Sequence, residues 1–510
     1  MEPTVVLALI LLVVLYLYMK RPDRHYAPLP PSPKKLPLIG NLLEMPTTFE
    51  WETYDKWCKE LGSDIIHLEV AGTSIVVMNS AEVAEELLDQ HSAIHSDRPR
   101  LVMVNELMGW NFSFGLMAYG RRAQRKLFQQ EFHPQAAERF QPLEVRVTHQ
   151  FLHRLLEDPK RYVHHVRHLA ASIILGIAYG IDVQEDNDPY IDAAENALES
   201  LGLGIAPGVF LVESIPILKY VPEWFPGAGF KRKAKEWARY STIMRELPYA
   251  AAKEQISQGT ARPSFTSYSL EKLTETGDLG QEQRVQSTAA TMYTGATDST
   301  VSVLLTFILA MLANPEAQKR AHEEIDSVVQ SGEFPGFSDQ ERLPYVTAIV
   351  KETMRWKNVT PLGIPHASTS EDVYRGYRIP AGSIMVPNIW AMLHNENVYP
   401  EPHSFKPERF IGEDGKINPA VKDPDTALFG FGRRICPGRF MAFSSLWIAV
   451  ASMLAVFDIT KPIDEDGNVI EPTYEYIPSM ACVPAPFDCL LRPRSAQAEE
   501  MIRSMASEHQ

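Results

Sequence analysis

A chain of 510 residues, 45% hydrophobic and 22% charged, has the material for a large folded core, and length alone would allow about three domains. Its net charge of −15, with no basic block above the acidic average, argues against general nucleic-acid affinity. Four cysteines (Cys58, Cys436, Cys482 and Cys489) are too few and too irregular for a disulfide framework, and none forms the C-x-x-C pair of a zinc or iron–sulfur site, so a reducing, cytosol-facing setting fits.

Val5 to Met19 is an unbroken apolar run, shorter than the roughly 20 residues that usually span a bilayer, so a cleaved signal peptide competes with an anchor. Lys20, Arg21 and Arg24 come after the run instead of preceding it, and no small-x-small cleavage site appears. The positive-inside rule then predicts an N-terminal anchor over residues 1–20 with the bulk of the chain in the cytosol. Pro28, Pro30, Pro31, Pro33 and Pro37 stiffen the next segment into an extended spacer. Residues 21–40 are therefore expected to be a basic, proline-rich hinge, and residues 41–510 a single domain.

Ile65–Val70 and Ser74–Met78 are β-branched runs around Ala71-Gly72, a hairpin signal, and a second β-rich portion lies near Val373–Val386. Most of the remainder carries apolar residues at 3.6-residue spacing. The expected fold class is mainly α with small β-sheets. Tyr119 to Phe128 places Arg121, Arg122, Arg125 and Lys126 on one short helix, which by itself reads as a solvated face. Leu198 to Trp237 is rich in Gly, Pro and aromatic residues and ends in Lys231-Arg232-Lys233. It suits either a plain buried loop or a surface dipping into lipid headgroups.

Glu282 to Ala313 can run as one helix, stopped by Asn314-Pro315, which also begins the next. Gly295-Ala296-Thr297-Asp298-Ser299-Thr300 interrupts its apolar character. Hydroxyls can divert backbone hydrogen bonds there and bend the helix. An acid beside alcohols is a proton relay in outline, although a polar patch satisfied within the core has the same pattern. Further on come Glu352-x-x-Arg355, Thr360 to His366, Pro407-Glu408-Arg409-Phe410, and the loop Phe429-Gly430-Phe431-Gly432-Arg433-Arg434-Ile435-Cys436-Pro437-Gly438. The loop's glycines free the backbone to turn tightly and aim N–H groups at the sulfur. The helix after Pro437 brings its positive end beside Cys436, which favours a thiolate.

The loop matches Phe-x-x-Gly-x-Arg-x-Cys-x-Gly at every specified position and resembles the signature of the cytochrome P-450 haem-thiolate monooxygenases. The resemblance covers the chain from about Pro28 onward, in the family's order of motifs, and is nearest the fungal microsomal members of the O-methylsterigmatocystin oxidoreductase type. It implies a cytochrome P-450 fold behind the membrane-anchor helix and a haem b ligated by Cys436 within a loop built on Phe429, Gly430, Gly432, Arg434 and Gly438. Arg122, Arg125 and His366 are implied to contact the haem propionates, Glu352, Arg355 and Arg409 to form a structural core, and Asp298 with Ser299 and Thr300 to deliver protons. Leu362 to Ile364 and the residues near Tyr476–Met480 would line a largely apolar pocket for a small apolar substrate, a terpenoid, polyketide or aromatic molecule of secondary metabolism.

Three positions depart from the family pattern: Arg121 stands where a Trp is usual, Ala296 replaces a glycine, and Ser299 replaces a threonine. The segment after Tyr119-Gly120 is also two residues short. No dinucleotide-binding Gly-x-Gly-x-x-Gly unit is present, so NADPH electrons would arrive through a separate flavoprotein reductase. Arg121, Arg122, Arg125, Lys351, Arg433 and Arg439 could offer it a basic docking face. The implied location is the endoplasmic reticulum membrane, single-pass, facing the cytosol. Two other readings stay open: a haem-thiolate isomerase or dehydratase that uses no O2, and a haem-binding paralogue without turnover. The N-x-S/T sequons at Asn111 and Asn358 carry no weight in a cytosolic domain.

Overall fold

Ala71 and Gly72 both adopt positive φ, 47° and 87°, the turn geometry whose twist matches paired strands. They join β1 (Ile65–Val70) to β2 (Thr73–Met78) with Ile65 opposite Met78 and Val70 opposite Thr73. This computed structural model describes residues 27–119, 123–206, 208–274, 279–478 and 480–507. The expected anchor (1–20), part of the hinge, Arg121 and Arg122 lie outside the described residues. Further strands are β3 (His366–Ala367), β4 (Asp372–Tyr374), β5 (Tyr377–Ile379) and β6 (Ile384–Pro387). β6 pairs parallel with β2 and antiparallel with β3, giving a sheet of order β1-β2-β6-β3, while β4 and β5 form their own hairpin. Both expected β-rich portions are therefore present, and strands from each join in one sheet.

Helices make up the rest. In chain order the ones that frame the interior are α1 (Ala123–Glu131), α2 (Gln141–Glu157), α3 (Tyr162–Tyr179), α4 (Pro189–Ile205), α5 (Leu279–Ala313), α6 (Pro344–Trp356) and α7 (Arg439–Val456). With 35 residues, α5 is about 52 Å long. It packs along α3 and against α7. Hydroxyls along it are satisfied within the helix: Thr288, Thr291, Thr294, Thr297 and Ser299 each donate a hydroxyl proton to the carbonyl four residues earlier. Buried hydroxyls satisfied this way avoid the penalty of an unpaired polar group.

Residues Gly280–Ala313 and Arg439–Val456 are long and apolar enough to cross a membrane, but most of each is buried against the rest of the protein, as in a soluble core. In α7, Leu446 to Leu454 are all nearly sealed from solvent.

Glu352 and Arg355, on α6, are fully buried and form a two-pronged pair, Nε to Oε2 at 2.7 Å and Nη2 to Oε1 at 2.8 Å. Arg409 Nε and the Lys406 amide also donate to Glu352, and Arg355 is completed by the carbonyls of Leu393 and Pro402. A buried ion pair repays its desolvation only when its remaining protons and lone pairs are met, as here. The group ties α6 to the chain leading to the cysteine loop.

Candidate active site

The loop Phe429 to Gly438 closes on itself before it meets anything else. The Cys436 amide donates to the Phe429 carbonyl at 2.8 Å. Gly430 and Gly432 hold φ of 76° and 52°, which side chains other than glycine adopt only at a cost. Gly432 also presses on the helical segment Glu86–Gln90: a Cβ there would lie 2.2 Å from the Leu88 carbonyl oxygen. Gly438 packs on Phe128 of α1, and its amide donates to the Cys436 sulfur. Burial raises the Cys436 thiol above its ordinary value, outweighing the opposing Gly438 amide, Arg125 and Arg439. The Gly438 amide before α7 and the two cations favour the thiolate, as the sequence suggests, but against burial they do not by themselves make it. A bound metal ion does so outright.

Beside the loop, three guanidiniums converge. Arg434 donates from Nε to the Ser96 carbonyl at 2.8 Å, and from its terminal nitrogens to the carbonyls of Phe114 and Met117. Arg98 donates to the carbonyls of Gly115, Ile364 and Pro365 at 2.7–2.9 Å. Arg125, on α1, donates to the Ile435 carbonyl. Burial lowers all three from their usual value, Arg434 to about 10, and for Arg98 the charges of Arg434 and Arg125 add to it. His366 lies against them: its Nδ1 is 2.8 Å from the His95 carbonyl, and burial, then Arg98, push it well below the ordinary imidazole value.

Among the described residues no carboxylate forms a salt bridge with Arg98, Arg125 or Arg434. Held by carbonyls and facing one another, they have Asp97 as an acidic neighbour of Arg98 and Arg434, but no carboxylate in direct contact. The two carboxylates of a haem, set beside a loop that offers one sulfur, supply what this donor set lacks, so the residues present fit the group.

Across the interior, Asp298 on α5 keeps about two-fifths of its side-chain surface accessible and lies 3.9 Å from Arg167 Nη1 on α3. Arg167 in turn is 3.5 Å from Glu195 on α4, so ionic groups run from the outer surface to α5. Burial raises the Asp298 carboxyl, and Arg167 only partly opposes it. Ser299 donates to the Gly295 carbonyl at 2.8 Å, whereas Thr300 makes no side-chain hydrogen bond among the described residues.

Several expectations change. Lys351 is buried and paired with Asp423, and Arg125 turns inward to the loop, so neither belongs to an exposed basic face. Both cations sit where burial demands a partner, and each has found one. Arg433 remains exposed and Arg439 half-exposed. Arg122 lies outside the described residues. Asn358 is only 2% exposed, which closes its sequon to modification. Residues 209–225 are not a buried loop: Leu211, Ile217, Tyr220 and Trp224 each expose 70% or more. Arg98 was missed, because an arginine in an irregular loop carries no periodicity or motif to single it out.

A mainly helical fold that brings a cysteine loop, an anion-seeking arginine cluster and an acid–alcohol helix to one interior defines a haem-thiolate oxidoreductase. The cytochrome P-450 family profile matches residues 30–486, and the chain belongs to that family, whose members carry a thiolate-ligated haem and draw electrons from a reductase. It is 47% identical over 498 residues to cytochrome P-450 monooxygenase 98 of Postia placenta, covering 97% of this chain and 95% of that one. A cytochrome P-450 monooxygenase of Rhodocybe pseudopiperita is 44% identical over 489 residues (95% of this chain, 93% of the relative). Tryptamine 4-monooxygenase of Psilocybe cyanescens is 40% identical over 484 residues (94% and 95%). The protein is an oxidoreductase of the monooxygenase kind.

Proposed function

We propose that this protein is a membrane-anchored monooxygenase that hydroxylates or oxidises a small apolar molecule of fungal secondary metabolism, with Cys436 as the haem's axial ligand. The observation that carries this reading is the cluster of Arg98, Arg125 and Arg434, which makes no salt bridge among the described residues, beside the glycine-rich loop that presents Cys436. These arginines and His366 would hold the two propionates, and Phe429, Gly430, Gly432 and Gly438 would shape the seat of the sulfur. When bound, the haem supplies the oxygen chemistry, which a thiolate ligand favours by donating electron density.

The chain's own residues then position, shield and deliver protons. Asp298, its carboxyl raised by burial, holds a proton more readily than an exposed aspartate, and Arg167 and Glu195 lie between it and solvent. Ser299, donating to Gly295, leaves its lone pairs free to accept, while Thr300 is uncommitted. The pair could pass a proton from Asp298 toward the oxygen side of the pocket, a general-acid role. Leu362 to Ile364 and Met480 give the opposite wall an apolar character suited to a terpenoid, polyketide or aromatic substrate.

Outside the catalytic domain (41–510) we assign residues 1–20 as a single-pass anchor in the endoplasmic reticulum membrane and 21–40 as its hinge. The exposed apolar side chains of residues 209–225 support contact with the same membrane surface. An NADPH–cytochrome reductase is the assigned electron donor, with Arg433 and Arg439 on the outer side of the cysteine loop as its contacts. The test is the reduced, carbon-monoxide-bound spectrum. A red-shifted thiolate-type Soret band, lost in Cys436→Ala, is expected, with NADPH-dependent O2 consumption when reductase is added. Absence of the band in folded protein would sink the reading. The band without O2 consumption across substrates would leave an isomerase or dehydratase.

A further inference from the structure

Away from the pocket, two histidines and an aspartate meet where the chain after β2 passes the hairpin of β4 and β5. His91 and His95 are four residues apart on consecutive short helical turns, a spacing that puts both rings on one side. Asp372 opens β4. Its Oδ2 is 2.7 Å from His91 Nδ1 and 2.9 Å from His95 Nε2, so one carboxylate oxygen serves both rings. The three atoms lie within 4.8 Å of one another. The rings are nearly parallel, 6° apart, and Asp372 Oδ1 accepts the Val373 amide at 2.8 Å, which fixes the carboxylate. His95 is sealed, Asp372 is 12% exposed and His91 40%, so the cluster has a solvent side.

We propose that His91 Nδ1, His95 Nε2 and Asp372 Oδ2 form a three-ligand site for a divalent transition metal of the zinc class. Two imidazoles and one carboxylate are donors that zinc, cobalt, nickel and copper accept, whereas calcium and magnesium take oxygen-rich sets. Metal–ligand bonds of about 2.0–2.1 Å set neighbouring donors roughly 3.0–3.4 Å apart. The hydrogen-bonded contacts need to open by only a few tenths of an ångström, and the metal takes the place of the two N–H protons now shared with Asp372. Remaining coordination positions face solvent past His91. The other carboxylate near His91, Glu86, is already paired with Arg375 and Tyr374 and leaves the three donors uncontested. His95 Nδ1 has no hydrogen-bond partner. In the metal-bound form it carries the proton without an acceptor, which weakens the site about 10–100-fold relative to one with such a partner.

The site has a structural consequence that rests on the haem assignment above. The His95 carbonyl accepts from His366, and the Ser96 carbonyl accepts from Arg434. A metal fastening His95 to β4 would stiffen the backbone that orients two residues of the cofactor seat. Metal binding itself is independent of that reading.

The experiment uses untagged, haem-loaded full-length protein, stripped with chelator and desalted. Zinc is titrated against a chromophoric chelator, and thermal midpoints are recorded with and without zinc. We expect one zinc per chain with micromolar affinity, weakened at least about tenfold in His91→Ala and in Asp372→Asn, and a zinc-dependent rise in midpoint confined to the wild type. His91 is half-exposed and Asp372→Asn keeps a hydrogen-bond acceptor, so a fold defect in one variant leaves the other to decide. Affinity unchanged in the variants would mean adventitious surface zinc only. No binding at about 100-fold above the micromolar range would reduce the cluster to a hydrogen-bonded tie. Either outcome overturns the proposal.

Discussion

Gly430 and Gly432 share a left-handed backbone, so replacing either by alanine incurs about 1–2 kcal/mol of conformational strain. Beyond that their surroundings differ. A Cβ on Gly430 meets nothing within 4 Å, whereas on Gly432 it would lie 2.2 Å from the Leu88 oxygen, 2.8 Å from the Asp89 Cα and 3.0 Å from the Leu88 carbonyl carbon. These are backbone atoms of a helical turn, not the yielding end of a side chain, and ordinary contact needs about 3.5 Å. Loop or turn must therefore move by roughly an ångström, and overpacking of this kind adds about 1–3 kcal/mol. The displacement falls on the loop that carries Cys436. Gly430→Ala is expected to retain near-normal haem-thiolate content with a loss of about 1–2 kcal/mol, and Gly432→Ala to lose about 2–5 kcal/mol and most of its haem. Carbon-monoxide difference spectra per quantity of folded chain, run beside thermal melts, measure both. Equal losses in the two variants would refute the steric argument, since strain alone would then account for each.

Arg98→Met removes a buried guanidinium that makes no salt bridge among the described residues, so the haem-free chain is expected to melt higher while the loaded protein releases haem faster, at least about tenfold. A drop in both would mean that the bonds from Arg98 to the Gly115, Ile364 and Pro365 carbonyls dominate. Glu144 is buried and accepts from Ser444 and Ser445, and burial raises its carboxyl from 4.5 to about 7. The native state then holds the proton more tightly than the unfolded chain. That contribution is complete below pH 4.5 and is lost as pH rises to about 7, some 3 kcal/mol in all. Glu144→Gln should therefore melt higher than the wild type at pH 8 but not at pH 4.5; parallel melting curves across that range would contradict the buried carboxyl. Asp298→Asn should keep the thiolate spectrum yet slow coupled turnover about 100-fold, and comparing Ser299→Ala with Thr300→Ala identifies the relaying hydroxyl. Unchanged coupling in Asp298→Asn would remove the carboxyl from proton delivery.

Much of the fold and part of the site was legible because it is encoded locally. The turn at Ala71-Gly72, the end of α5 at Asn314-Pro315, and the glycines around Cys436 are statements about φ, hydrogen-bond donors and periodicity over a few residues. The segment Gly295 to Thr300 is local in the same way, with the hydroxyls of Thr297 and Ser299 satisfied by carbonyls four residues away on the same helix. The Glu352–Arg355 pair is also local, one helical turn apart.

What the tertiary structure decided was which distant groups share a dielectric environment. Arg98, Arg125, His366 and Arg434 come from a loop, a helix, a strand and the cysteine loop, and only packing makes them one anion-seeking cluster. The same packing takes Lys351 off the surface to Asp423, sets Arg167 and Glu195 beside Asp298, and leaves residues 209–225 uncovered. His91, His95 and Asp372 meet for the same reason. The amino-acid sequence by itself determined the backbone conformations and the kinds of chemistry available. Burial and charge–charge distance, which set how strongly those groups act, are properties of the packed chain, because they depend on neighbours hundreds of positions away.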